Sequence, residues 1–193
     1  MLRSLPGGRI PRQNPIQALP IRIAGYTAES VVDGPGVRAV IFVQGCPHHC
    51  PDCHNPQTHS PDGGRETTTA ELWKAIDANP LLNGVTFSGG EPFLWAAELA
   101  EIGRAAREKG LHIITYSGYT FEQLLEMADR QPGTEALLRV TDILIDGPFI
   151  RSRRSLSLAF RGSDNQRLLD ISAYPNRKTA KLLTDEEIRA LRV

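Results

Sequence analysis

Four apolar runs constrain this chain more than any other feature: VRAVIFV from Val37 to Val43, VTFS from Val85, LHIITYS from Leu111 and VTDILIDG from Val140. Branched and aromatic residues dominate them, as in strands, and turn residues bound them. Helix-like stretches lie between. TTTAELWKAIDAN has a Thr cap at Thr67 or Thr68 with Glu71 in its first turn. PFLWAAELAEIGRAAREKG starts near Pro92 and stops at Gly110, and YTFEQLLEMADRQ precedes the last run. Strands joined this way pair in parallel, because only a crossover of a dozen or more residues returns the chain to the same end of a sheet. The expectation is an α/β fold, either an open sheet or an incomplete barrel, since the β/α units are too few for a complete eightfold barrel.

Weaker signals fill in the rest. IRIAGYTAESV from Ile21 reads as a strand, DGPG at 33–36 and PDGGRE at 61–66 as turns, LLDIS as a further strand and TDEEIRALR as a final helix. With 40% apolar and 23% charged residues, the region 21–193 suits a single folded domain. The Pro-rich stretch 1–20 is expected to be a disordered leader. It lacks the continuous apolar segment of a secretory signal, and no run of about 18 apolar residues occurs anywhere. Lys plus Arg and Asp plus Glu balance at 22 each, so no global field favours nucleic acid or an anionic membrane. A cytoplasmic location is expected, with neither as a direct partner.

All three cysteines, Cys46, Cys50 and Cys53, fall in GCPHHCPDCHNP, just past the second strand. In α/β folds sites gather at that end of the strands. Three chemistries compete. A redox dithiol would use Cys50 and Cys53 and leave Cys46 unexplained. A structural zinc site would need a histidine from His48, His49 or His54 as its fourth ligand. An iron-sulfur cluster held by three thiolates would leave one iron open to a small ligand.

C-x3-C-x2-C directly after a strand is the signature of the radical S-adenosylmethionine enzymes, and DGPGVRAVIFVQGCPHHCPDCHNPQTH resembles their glycyl-radical activase branch. TFSGGEPF at 86–93, ITYSGYTFEQL at 114–124, DILIDGPFI at 142–150 and SLSLAFRGSDNQRLLD at 155–170 narrow the likeness to the activating proteins of anaerobic ribonucleoside-triphosphate reductases, over about residues 21–172. The resemblance implies an incomplete β/α barrel and a 4Fe-4S cluster ligated by Cys46, Cys50 and Cys53. It implies reductive cleavage of S-adenosylmethionine to a 5'-deoxyadenosyl radical, and hydrogen abstraction from a glycine of the reductase large subunit. A flavodoxin or ferredoxin type of protein would supply the electron. The alternatives are activation of pyruvate formate-lyase or another glycyl-radical enzyme and, in a different class, a structural or electron-transfer metal module.

The same resemblance implies S-adenosylmethionine contacts. Gly89 and Gly90 would admit the ligand's close approach and meet its amino group, with Glu91 ordering the motif or accepting from it. Ser117 and Asp146, at strand ends on the same rim, would reach ribose or methionine, although a strand-end Asp is as often a cap. Where the superfamily often has an aromatic residue before the third cysteine this chain has Asp52, so the adenine contact would come from main-chain groups around Asp52, Cys53 and His54. His48 and His49 read as exposed loop residues that must stay off the iron. Arg151, Arg153, Arg154 and Arg161 read either as a solvated loop or as a docking surface for an acidic partner.

Overall fold

The computed structural model describes residues 15–176, 179–191 and 193. The strands are β1 (Pro20–Ser30), β2 (Arg38–Val43), β3 (Arg65–Thr68), β4 (Gly84–Gly89), β5 (His112–Tyr116), β6 (Ile143–Asp146), β7 (Arg167–Asp170) and β8 (Lys181–Leu182). The helices are α1 (Thr69–Asp77), α2 (Ala96–Glu108), α3 (Phe121–Ala128), α4 (Pro132–Val140) and α5 (Asp185–Ala190). One sheet holds every strand in the order β3-β1-β2-β4-β5-β6-β7-β8. Its centre, β2-β4-β5-β6, is parallel. The pairings outside it are antiparallel. Helical crossovers link the parallel strands and the sheet ends in two edges, so the fold is a partial β/α barrel.

The helix boundaries follow local chemistry. Thr68 accepts from the Glu71 amide while Glu71 returns the bond to the Thr68 amide, and Thr120 with Gln123 and Thr184 with Glu187 repeat the arrangement. Three elements escaped the sequence reading, among them β8, whose two residues are too few to show alternation. PDGGRE supplies the start of β3, which pairs with the first four residues of β1. α4 has Pro132 in its first turn and only nine residues, too few for a clear period. The expected leader 1–20 lies outside the described residues as far as residue 14. Beyond that the chain is docked: the Gln17 amide donates to Glu101, and Leu19 and Thr69 exchange bonds.

Alternation along the strands makes two apolar faces. Ile41, Val43, Val85, Phe87, Ile113 and Leu144 pack with Leu99, Ile102, Leu124 and Leu137 from the helices. Ile114, Ile143, Ile145 and Leu168 point the other way, where Ala159, Leu183 and Ile188 cover them. The C-terminal segment thus covers part of the second face.

Arg38 at the start of β2 is fully buried. Its guanidinium donates to Thr86 Oγ1 at 2.7 Å and to the carbonyls of Pro35, Val85 and His112 at 3.2, 2.7 and 2.8 Å. Burial pulls its pKa down to about 10, and with no carboxylate among the described residues bonded to it the group rests on those acceptors. Arg38→Met fills similar space but donates nothing, so it is expected to cost about 3 kcal/mol, read as a lower urea midpoint. An unchanged midpoint would contradict the assigned role. No helix among the described residues is long and apolar enough to cross a membrane.

Candidate active site

The cysteine loop leaves β2 and is tied shut by main chain and one buried glutamine. Gln44 Nε2 donates to the carbonyls of Gln57 and Ser60 at 3.0 and 2.6 Å. Gly45 and Cys46 donate to the carbonyls of Thr58 and His59 at 2.8 and 3.2 Å. Within the loop His49 and Asp52 take φ of 45° and 56°, left-handed values uncommon for residues with a Cβ, so the arc is tightly wound. Asn55 N–H points at Cys53 Sγ at 3.4 Å. Burial pushes the Cys46 thiol up, and the Glu91 charge and Cys50 add to that. The main-chain amides of His48 and His49 at the sulfur pull the other way.

All three cysteines are free and half-buried, and they line one cavity of about 570 Å³. Its walls include Gly89 and Gly90 from the end of β4, Ser117 and Gly118 after β5, His54 of the cysteine loop, and Phe149, Arg154, Leu156 and Phe160 from the segment after β6. The parallel strands therefore deliver the cysteine loop, GGEP and YSGY to the same rim. Among the described residues no three or more His, Cys, Asp or Glu groups converge to hold a single metal ion. Three free thiols on one wall, with amide donors at two of the sulfurs, fit a larger thiolate-ligated group such as an iron-sulfur cluster.

Asp52, Glu91 and Asp146 do not line the cavity. Asp52 is exposed and pairs with Arg151 at 2.7 Å. Asp146 is 1% exposed and accepts from the Phe121 amide at 2.7 Å, capping the start of α3, while Arg167 binds its other side. Arg167 also grips Glu122 and holds that carboxyl down at about 2. Asp146 is therefore committed to the scaffold, the cap alternative allowed by its place at a strand end.

Glu91 is fully buried behind the rim with four partners. Phe93 N–H and Ser117 Oγ meet Oε1, both at 3.0 Å, while Gly118 N–H and His48 Nε2 meet Oε2 at 2.8 and 2.9 Å. One carboxylate thus joins all three loops. His48, expected to be exposed, has a side chain only 17% exposed, stands on this carboxylate and lies edge-on to Tyr119 at 4.5 Å. His49 and His54 are exposed, the latter with its ring 5.2 Å from Phe149.

The glycines have a second reason to be there. A Cβ on Gly90 would fall 2.1 Å from the Gly45 carbonyl oxygen, and one on Gly89 2.6 Å from Phe42 Cα. Close approach at GGEP is first of all an approach to the protein's own main chain, to β2 at Gly89 and to the start of the cysteine loop at Gly90. Gly90→Ala is expected to push that loop off β4, cost about 2 kcal/mol or more, and open residues 46–60 to limited proteolysis. A wild-type melting curve and cleavage pattern would refute this.

RGSDNQR at 161–167, which the sequence presented only as a motif, is a staple. Asn165 donates to the Pro148 carbonyl at 2.7 Å and Gln166 Nε2 to the Gly147 carbonyl at 3.2 Å. Gln166 Oε1 accepts from Gly162 and Ser163 at 2.9 and 3.2 Å, and buried Ser163 accepts from Ile150 at 3.1 Å. This sets segment 148–162 as one lip of the cavity. The arginines there are largely neutralised within the chain: Arg151 by Asp52, Arg153 by Asp164 and Arg161 by Asp185. Arg154 alone of the four makes no ion pair among the described residues.

Comparison with known proteins bears on the whole assembly. The chain is 36% identical over 149 residues to an anaerobic ribonucleoside-triphosphate reductase-activating protein of Vibrio cholerae, covering 73% of this chain and 92% of that protein. It is 40% identical over 117 residues to a pyruvate formate-lyase-activating enzyme of Clostridium pasteurianum, matching 56% of this chain but about half, 49%, of that longer relative. The structure of QueE from Escherichia coli aligns with TM-score 0.42 at 18% identity over 52% of this chain and 53% of that one, a partial likeness. A family model described as a 4Fe-4S single cluster domain matches residues 32–169, from the turn before β2 into β7. That span takes in the whole rim, and the chain accordingly belongs to the 4Fe-4S single cluster domain family, among the radical S-adenosylmethionine activases.

Proposed function

We propose that this chain generates a glycyl radical on an anaerobic ribonucleoside-triphosphate reductase. The observation that carries the reading is the match to a reductase-activating protein over 92% of that protein's length, against 49% of the pyruvate formate-lyase-activating relative. The higher identity to the latter, 40%, keeps activation of pyruvate formate-lyase as the second reading.

Cys46, Cys50 and Cys53 would hold a 4Fe-4S cluster as thiolates, and S-adenosylmethionine would occupy the cavity against Gly89, Gly90, Ser117 and the main chain of Cys53 and His54, with Asp52 outside its lining. The bound pair supplies one-electron cleavage of a carbon-sulfur bond, which yields the radical that removes the glycine hydrogen. The protein's own part is placement. Glu91 keeps the three rim loops in register, Asp146 anchors α3 beneath them, and the lip at 148–162 screens one side while leaving an opening for a protein segment. A flavodoxin or ferredoxin type of protein is the proposed electron donor. The reducing setting this requires is cytoplasmic, where free thiols persist.

The test is anaerobic reconstitution with iron and sulfide, then reduction with S-adenosylmethionine present. 5'-Deoxyadenosine should form, and a glycyl doublet should appear by electron paramagnetic resonance when the reductase large subunit is added. A doublet with pyruvate formate-lyase alone would select the second reading, and absence of 5'-deoxyadenosine would sink both.

A further inference from the structure

We propose that His48 is a positioning residue, tying the arc between Cys46 and Cys50 to Glu91 so that the thiols keep a fixed bearing on the rim loops that receive the cofactor. The inference rests on the proposed function for its consequence, though the tie itself is a property of the bare protein. His48 is the one side chain inside the cysteine spacing that reaches back into the barrel. Its Nε2 lies 2.9 Å from Glu91 Oε2, the oxygen that also accepts from Gly118 at 2.8 Å. Both oxygens of Glu91 already accept main-chain N–H bonds, so the proposed tie requires the His48 proton on Nε2.

The surroundings are shaped to this ring. A Cβ on Gly118 would fall 2.3 Å from His48 Cδ2, so only glycine at that position admits the imidazole where it stands. Tyr119 closes on it from the side at 4.5 Å with planes 72° apart, and the ring forms part of the cavity wall. Glycine, tyrosine and glutamate from two other loops thus converge on one histidine. No other side chain between Cys46 and Cys53 is held by them. With that tie cut, the arc keeps its main-chain bonds and the contacts of His49 with His59 and of Asp52 with Arg151, none of which reaches GGEP or YSGY, and it can tilt against those two loops. Cofactor affinity should feel the tilt before cluster binding does, because the thiols move together while their distance to the facing loops changes.

Three substitutions separate the tie from simple packing. Glutamine places an amide N–H close to where Nε2 sits, asparagine is one methylene short, and leucine fills the space but donates nothing. After anaerobic reconstitution, His48→Leu and His48→Asn are expected to take up iron and sulfide like the wild type. Both should bind S-adenosylmethionine about tenfold more weakly, seen as a displaced titration of the reduced cluster's resonance, and His48→Gln should restore it. A leucine variant with wild-type titration, or a glutamine variant no better than leucine, would overturn the proposal. Should the wild type take up no cluster, the proposed function fails first. The tie is then judged in the bare protein by imidazole 15N spectra, where an Nε2–H tautomer supports it and an Nδ1–H tautomer overturns it.

Discussion

Cys46→Ala is expected to leave the fold standing and to remove the iron. The loop that carries Cys46 is closed by Gln44 and by main-chain bonds at 45, 46, 58 and 59, none of which uses the thiol. Half-buried, the side chain contributes little to the core, so the apo-protein should lose no more than about 1 kcal/mol. Two thiolates cannot hold the cluster as three would, and iron per chain after reconstitution should fall to background together with 5'-deoxyadenosine formation. A variant that kept both would disprove the ligand assignment. One that failed to fold would show instead that the thiol is structural.

The second large effect is expected at Glu91, and it runs the other way, through stability. Truncation to alanine leaves the Phe93 and Gly118 amides, the Ser117 hydroxyl and His48 Nε2 facing a space from which four contacts have gone. A buried donor without a partner costs about 1 to 3 kcal/mol, so a loss of roughly 4 kcal/mol is expected even if water repairs part of the site. Glu91→Gln should fall between, since one oxygen still accepts while the amide nitrogen opposes two donors. Urea melts of the apo-proteins in the order wild type, Gln, Ala would check this, and overlapping curves would show that the carboxylate is not the hub its contacts describe. Glu91 thus acts on the site from behind, through contacts of the ordering kind that the sequence reading held open beside direct contact with the ligand.

How far the sequence could be read depends on distance along the chain. The strands β2, β4, β5 and β6 were legible because branched residues recur within a few positions, and the cap of α1, read as Thr67 or Thr68 and found at Thr68, because the four residues from cap to Glu71 suffice to make it. α4 and β3 were missed for the same reason: nine and four residues carry too little periodicity to stand out from turn residues beside them. The cysteine spacing and GGEP were visible as a constellation, and the parallel topology does bring them to one rim. Asp146 looked like a rim residue and is a cap, because a side chain at a strand end can turn toward the cavity or back toward the next helix, and only the position of Arg167 and the Phe121 amide settles which.

By itself the sequence determined the α/β order of the central strands, the start of α1 and the three-thiol loop, each written in neighbouring residues whose conformational preferences act over one or two turns. The tertiary structure alone decided what holds the rim, and the opposite end of the sheet, together. His48 meets Glu91 across 43 positions, Gly118 meets it across 27, and Arg38 reaches the His112 carbonyl across 74. Such pairings arise only when parallel strands bring distant segments to the same end of the sheet. Burial then turns a histidine that read as a loose loop residue into a donor whose loss would leave an oxygen of the buried Glu91 carboxylate short of a partner.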